Sequence, residues 1–266
     1  MKIIDEPESK LETLLRLAVS EPAHRPEFYQ VLLESPLWVL GHADQTADGE
    51  QQLDAGSAIT IQHWETTTHQ TTIPVFTSLE VMQQSIDEDE SYLELPARDL
   101  FELTLGEVLV LNPDADYSKE FLPDEVAGLL QGEAQQSFME QVTDSSAEFT
   151  ISEPESYPDA LVDSLTTLFS KHSQIEAAYL GFIQDHKEGS DPNLIIGLQG
   201  EGDLETIIRE AGLVAMDTTL EEEYIDFVII EEQDDGISQY FLQQSKPFYE
   251  RRWGSKIKQY TEPHRT

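Results

Sequence analysis

Ser156-Tyr157-Pro158-Asp159-Ala160-Leu161-Val162-Asp163-Ser164-Leu165-Thr166-Thr167-Leu168-Phe169 is followed closely by Ile175-Glu176-Ala177-Ala178-Tyr179-Leu180-Gly181-Phe182-Ile183. In the first stretch Leu161, Val162, Leu165, Leu168 and Phe169 recur at i, i+1, i+4, i+7 and i+8, the apolar stripe of an amphipathic helix. Pro158 sits near the first turn, where its missing N–H is no loss. The second stretch reads as a strand. Downstream, Lys187 to Asn193 is a turn, Leu194 to Gln199 a strand, and Asp203 the cap of a helix to about Ala211. Tyr224 to Ile230 is a third strand and Ile237 to Gln244 a last helix. The order α-β-β-α-β-α over 159–266 predicts a small sheet with helices on one face.

Upstream, residues 131–158 hold Gln, Ser, Glu and Pro with no base. They read as an acidic linker with one strand near Phe149 to Ile151. Residues 1–130 read as a second folding unit. Ser9-x-x-Glu12 predicts a capping box ahead of Leu11, Leu14, Leu15 and Ala18, and Pro22 ends that helix. Pro26 opens another helix, and Leu37 to Leu40 is a buried strand. Ile59 to Trp64 pairs with Thr71 to Phe76 as a hairpin. Thr77-x-x-Glu80 predicts a second capping box, on a helix that Asp87-Glu88-Asp89-Glu90 ends in solvent. Tyr92 to Leu95 and Val108 to Leu111 are strands around a short helix from Arg98 to Leu103, and Glu120-Phe121 leads into a helix over 123–130. The fold class is α+β, with two α/β domains, each a small mixed or antiparallel sheet with packed helices. The domains are 1–130 and 159–266.

Charge sets the bounds on function. The chain of 266 residues carries 53 acids against 15 bases, a net charge of −38. Such a field favours solubility and repels phosphate backbones, anionic lipid heads and free nucleotides. Nucleic acid and membrane surfaces are therefore not expected partners, and a DNA-mimic row of evenly spaced carboxylates is not seen. With no cysteine there is no disulfide, no Cys-ligated metal and no thiolate nucleophile. Met1 to Pro7 lacks an apolar signal core, so the expected setting is cytoplasmic.

Candidate chemistry is sparse. Gly197-x-x-Gly200-x-Gly202 precedes a helix N-terminus, as a phosphate cradle would. Glu201 and Asp203 stand in that loop and no Lys follows, so an ordinary strand–turn–helix is the better reading. His63, Glu65 and His69 flank a hairpin without metal-site spacing. Neither a cofactor nor a metal is expected. With so many carboxylates, a catalytic pair would be invisible, and an enzyme using carboxylates or a metal in an interdomain cleft stays open as an alternative.

Positive charge gathers at one place. Lys246, Arg251, Arg252, Lys256, Lys258 and Arg265 are six of the 15 bases, and Pro247-Phe248-Tyr249-Glu250-Arg251-Arg252-Trp253-Gly254 adds three aromatics. Arg, Tyr and Trp are enriched at binding hot spots. Phe248, Tyr249, Arg251, Arg252 and Trp253 are the candidate partner-binding residues. The competing reading is that the aromatics dock the segment onto its own domain, or onto a second copy, while the Arg pair neutralises nearby acids.

Several segments together resemble one family. They are Glu21-Pro22-Ala23-His24-Arg25-Pro26-Glu27-Phe28, Ile73-Pro74-Val75-Phe76-Thr77-Ser78-Leu79, Leu100-Phe101-Glu102-Leu103-Thr104-Leu105-Gly106-Glu107, Lys119-Glu120-Phe121-Leu122-Pro123, Asp163 to Phe169, and Pro247 to Gly254. In this order they resemble the SseB (enhanced serine sensitivity) family. The resemblance implies a cytoplasmic bacterial protein with N- and C-terminal SseB-type domains, linked to rhodanese-type sulfurtransferases as an enhancer of their activity. It supplies no catalytic motif. A rhodanese carries its persulfide on a cysteine, so this chain is not itself one by that mechanism. The expectation is a non-catalytic binding or regulatory protein with a protein partner, either such a sulfurtransferase or a second copy. The alternatives are the carboxylate or metal enzyme and a module that senses an amino acid.

Overall fold

The computed structural model describes residues 9–43, 58–65, 69–88, 90–131, 149–154, 157–185, 193–216, 218, 225–231 and 236–251. The chain divides into two compact units, one formed mainly by the residues before Phe138 and one mainly by those after it.

The first unit opens with α1 (Lys10–Ser20), a 3-10 turn (Pro22–His24) and α2 (Arg25–Glu34). The Ser9 hydroxyl accepts from the Glu12 N–H and the Glu12 carboxylate accepts from the Ser9 N–H, closing the expected capping box. The strands and helices that follow are β1 (Pro36–Ala43), β2 (Ile59–Ile61), β3 (Trp64–Glu65), β4 (Thr71–Phe76), α3 (Leu79–Gln84), β5 (Tyr92–Pro96), α4 (Ala97–Leu103), β6 (Leu109–Leu111), β7 (Lys119–Phe121) and α5 (Pro123–Gln131). They form a mixed seven-stranded sheet in the order β2-β1-β4-β6-β7, with β5 on β1 and β3 on β4. Among the described residues only the β4–β6 pair of this sheet is parallel. Successive strand residues point to opposite faces. Val39 and Val75 join the main core with Leu11, Leu15, Phe28 and Phe101, while Leu40 and Phe76 close a smaller core around Met82.

Three local expectations are corrected here. Ile59 to Trp64 is not one strand. Ile59–Ile61 pairs with β1, and only Trp64–Glu65 forms the hairpin with β4. The α3 cap is Ser78, whose hydroxyl accepts from the Val81 N–H. Thr77 is taken instead by Asn112: its N–H donates to Asn112 Oδ1 at 2.9 Å, and Asn112 Nδ2 donates to its hydroxyl at 3.0 Å. Glu120-Phe121, expected only to lead into α5, belongs to a strand, β7, antiparallel to β6.

The second unit contains β8 (Phe149–Ser152), α6 (Asp159–Lys171), β9 (Ile175–Asp185), β10 (Asn193–Gly200), α7 (Leu204–Met216), β11 (Ile225–Ile229), α8 (Ile237–Gln244) and β12 (Tyr249–Glu250). Its five-stranded sheet runs β11-β10-β9-β12, and β8 also pairs with β9. The β10–β11 pair is parallel and the others antiparallel. The segment expected as an acidic linker, 131–158, thus ends in a strand of this sheet; its residues 132–148 lie outside the described ones. Helices cover both faces, not one. Tyr249 lies opposite Ala178 and its ring packs on Phe169 of α6, whereas the neighbouring Tyr179 faces Phe241 of α8. The reason is written in β9, which is apolar at consecutive positions. Ala177 and Tyr179 serve one side, Ala178 and Leu180 the other, and all four are buried.

Candidate functional site

The basic-aromatic segment is built into the second unit. After α8 the chain turns through Ser245 to Pro247 and returns along β9. The Phe248 N–H donates to the Ala178 carbonyl at 2.9 Å, Tyr249 and Glu250 pair with Ala178 and Ala177, and the Arg251 N–H donates to the Glu176 carbonyl at 2.8 Å. Four consecutive residues are thereby held to one strand.

The side chains of Phe248, Tyr249 and Arg251 converge on the C-terminal end of α6. The Phe248 and Tyr249 rings lie 6.3 and 6.0 Å from that of Phe169, which is fully buried. The Tyr249 hydroxyl donates to the Phe169 carbonyl at 3.2 Å, and Arg251 Nη1 donates to the His172 carbonyl at 2.9 Å. His172 is the C-cap of α6. The last turn of a helix leaves carbonyls without intrahelical donors and carries partial negative charge, and a hydroxyl and a guanidinium satisfy both. Beside them His172 Nε2 meets Glu210 Oε2 at 2.8 Å, which ties α6 to α7. Of the five candidate residues, Phe248, Tyr249 and Arg251 are used within the fold. Arg252 and Trp253 lie outside the described residues.

The glycine loop is structural. A Cβ on Gly197 would lie 2.7 Å from the Ile230 side chain and 2.8 Å from the Phe241 ring, so its absence lets α8 press onto the sheet. Gly202 holds φ at +92°, a left-handed value that suits glycine. The α7 N-terminus already has its anion. Asp203 accepts from the Thr206 hydroxyl at 2.7 Å and the Thr206 N–H at 3.1 Å. These bonds hold its carboxyl below the ordinary value.

At the hairpin, His69 adopts φ +63° and its Nδ1 meets the Glu65 carboxylate. Among the described residues no group of three His, Asp or Glu could hold a metal ion, and no helix is long and apolar enough to cross a membrane.

Two features escape a local reading of the sequence. One is a polar knot joining the starts of α1 and α3 to the turn after β6. Glu12 Oε1 accepts from the Thr77 hydroxyl at 2.9 Å and the Ser78 hydroxyl at 3.0 Å, while Thr77 bonds to the buried Asn112. Burial pushes the Glu12 carboxyl up, but the Ser9 N–H and the hydroxyls of Thr77, Ser78 and Ser9 outweigh it and hold the carboxyl below its usual value. The other is a cleft of about 240 Å³ beside Trp64, rimmed by Asp87, Glu88 and Glu90. The acid run signals only a solvated helix end, and nothing local places it against an indole.

Residues 11–128 match the SseB protein N-terminal domain, and residues 143–251 match the SseB protein C-terminal domain. The chain belongs to the SseB family. It is 39% identical over 257 residues to Protein SseB of Escherichia coli (strain K12), across 97% of this chain and 98% of that protein. The identity and coverage are the same for Protein SseB of Shigella flexneri. No solved structure matches the chain. The SseB C-terminal match begins ahead of β8 and ends at Arg251, so it takes in all three strands that pair with β9 and the contacts of Phe248, Tyr249 and Arg251 with α6.

Proposed function

We propose that this SseB-family chain is a non-catalytic, cytoplasmic binding and regulatory protein that engages a basic protein partner, with a rhodanese-type sulfurtransferase as the partner class. The observation that carries the reading is the charge distribution. There are 53 acids against 15 bases, and six of those bases fall in the last stretch from Lys246. A surface with such a surplus speeds encounter with a basic protein and makes it salt-sensitive, contributing more to on-rate than to affinity. With no cysteine, this chain has no thiol to carry a persulfide itself, so in this reading it binds or regulates the enzyme that does.

The C-terminal segment takes a divided role in this reading. Phe248, Tyr249 and Arg251 close the second unit, which leaves Arg252 and Trp253 as the candidates for a contact with a partner or a second copy. The test is the rate of a purified rhodanese-type sulfurtransferase with and without the full chain, together with co-elution of the two at low and high salt. A rate increase and a complex that dissolves in salt are expected. An unchanged rate and no complex at low salt would refute the reading.

A further inference from the structure

A cleft lies beside Trp64 in the first unit. Its floor is apolar: Leu40 is buried, and the Trp64 ring, half-buried, packs edge-on against Phe76 at 6.2 Å. The rim is acidic. Asp87, Glu88 and Glu90 are exposed there, and Gln62 Nε2 donates to Glu90 Oε2 at 3.0 Å. Among the described residues no Lys or Arg pairs with any of these three carboxylates. The concavity thus combines an indole with negative charge that the described fold leaves unneutralised.

We infer that this cleft receives the guanidinium of an arginine side chain on a basic protein. The inference rests on the basic-partner reading above and gives it a location. Three arguments select the occupant. A cation is drawn to the face of an indole more than to any other aromatic ring. A planar guanidinium stacks on aromatic rings and meets carboxylates with two parallel N–H groups, which an ammonium cannot do. The volume, about 240 Å³, is below the roughly 300–1,000 Å³ of sites for free small molecules. It suits one side chain presented by a larger partner.

The probe is a fluorescein-labelled oligo-arginine peptide, with the oligo-lysine peptide of equal length beside it, titrated against the full chain by fluorescence polarisation. The arginine peptide is expected to bind more tightly. Trp64→Leu and the pair Asp87→Asn with Glu88→Gln are each expected to weaken it by about twofold to fivefold, the range for an exposed cation–π contact and exposed ion pairs. A charge-matched control, Glu102→Gln with Glu107→Gln, removes two exposed carboxylates outside the cleft and is expected to change affinity less than twofold. Trp64 also packs on Phe76, so the rim pair, whose side chains are exposed, decides the matter if Trp64→Leu unfolds. Salt-sensitive binding weakened equally by both charge pairs overturns the cleft and leaves the basic-partner reading standing. Equal affinity for the lysine peptide overturns the arginine assignment. No binding of either peptide at low salt overturns both.

Discussion

Replacing Tyr249 tests whether the aromatic-basic segment is a clasp or a free surface. Tyr249→Phe removes one hydroxyl, donating at 3.2 Å to the Phe169 carbonyl. That carbonyl keeps the His172 N–H at 3.1 Å, so the loss falls at the low end for a hydrogen bond, about 0.5–1 kcal/mol. Tyr249→Ala also removes a half-buried ring. A buried aromatic truncated to alanine costs about 3–5 kcal/mol, so half-burial gives roughly 2. The edge-on contact with Phe169 adds about 0.5–1.5 kcal/mol. At about 4 °C per kcal/mol for a unit of this size, Tyr249→Phe lowers its melting temperature by about 2–4 °C and Tyr249→Ala by about 12–18 °C. Amide exchange reads the docking directly. The Phe248 and Arg251 N–H groups donate to Ala178 and Glu176 in the intact strand pair, and both lose protection in Tyr249→Ala while amides deep in β10 keep theirs. A double-mutant cycle with Phe169→Leu is expected to show a coupling of about 0.5–1.5 kcal/mol. A Tyr249→Ala melting shift within 1–2 °C, with exchange at Phe248 and Arg251 already fast in the parent, would refute the clasp.

Three further substitutions follow from the same geometry. Gly197→Ala drives a methyl into Phe241 and Ile230 and destabilises the second unit by about 1–3 kcal/mol in denaturant melts; Phe241→Leu in the same chain restores part of that loss. Asn112→Ala loses the bonds to Thr77 and also strains a backbone held at φ +52°, so it costs about 1–2 kcal/mol more than Asn112→Gly, which loses the bonds alone. Glu12→Gln should show its effect through pH. The folded-state pKa of Glu12 lies below its unfolded value, so the carboxylate stabilises above about pH 4.3 and that advantage fades as pH falls through the folded value. The stability gap between parent and variant, followed by thermal melts, therefore closes in acid; a gap that widens in acid would contradict the hydrogen-bond assignment.

What could be read from the sequence was whatever repeats locally. The stripe from Leu161 to Phe169 and the apolar run of β9 carry their own period, and Ser9 with Glu12 carries its own cap. What could not be read was set by partners far along the chain. Thr77 and Ser78 are adjacent hydroxyls with equal local claims to the α3 cap, and Asn112, 35 residues away, decides between them. Strands β7 and β12 are two or three residues long and too short to alternate, so only the strand beside them reveals them. The acid run at Asp87 to Glu90 looks like an ordinary solvated helix end until the β3–β4 hairpin sets Trp64 against it.

Charge and geometry rank the two candidate surfaces in opposite order, and the energetics favour geometry. The cluster of bases makes the C-terminal segment the obvious place for an acidic partner to land. Arg251, however, already donates through its side chain to the His172 carbonyl and through its backbone to Glu176. A partner that captured the guanidinium would first have to break a charge-assisted bond worth about 1.5–3 kcal/mol, a tenfold or greater loss in apparent affinity. No such cost stands in front of Asp87 and Glu88, which have no cationic partner among the described residues and border an indole. For a protein with this excess of acids, a cation from outside meets less competition at the cleft than an anion meets at the segment. The first surface on which to seek a partner is therefore the one composition hides.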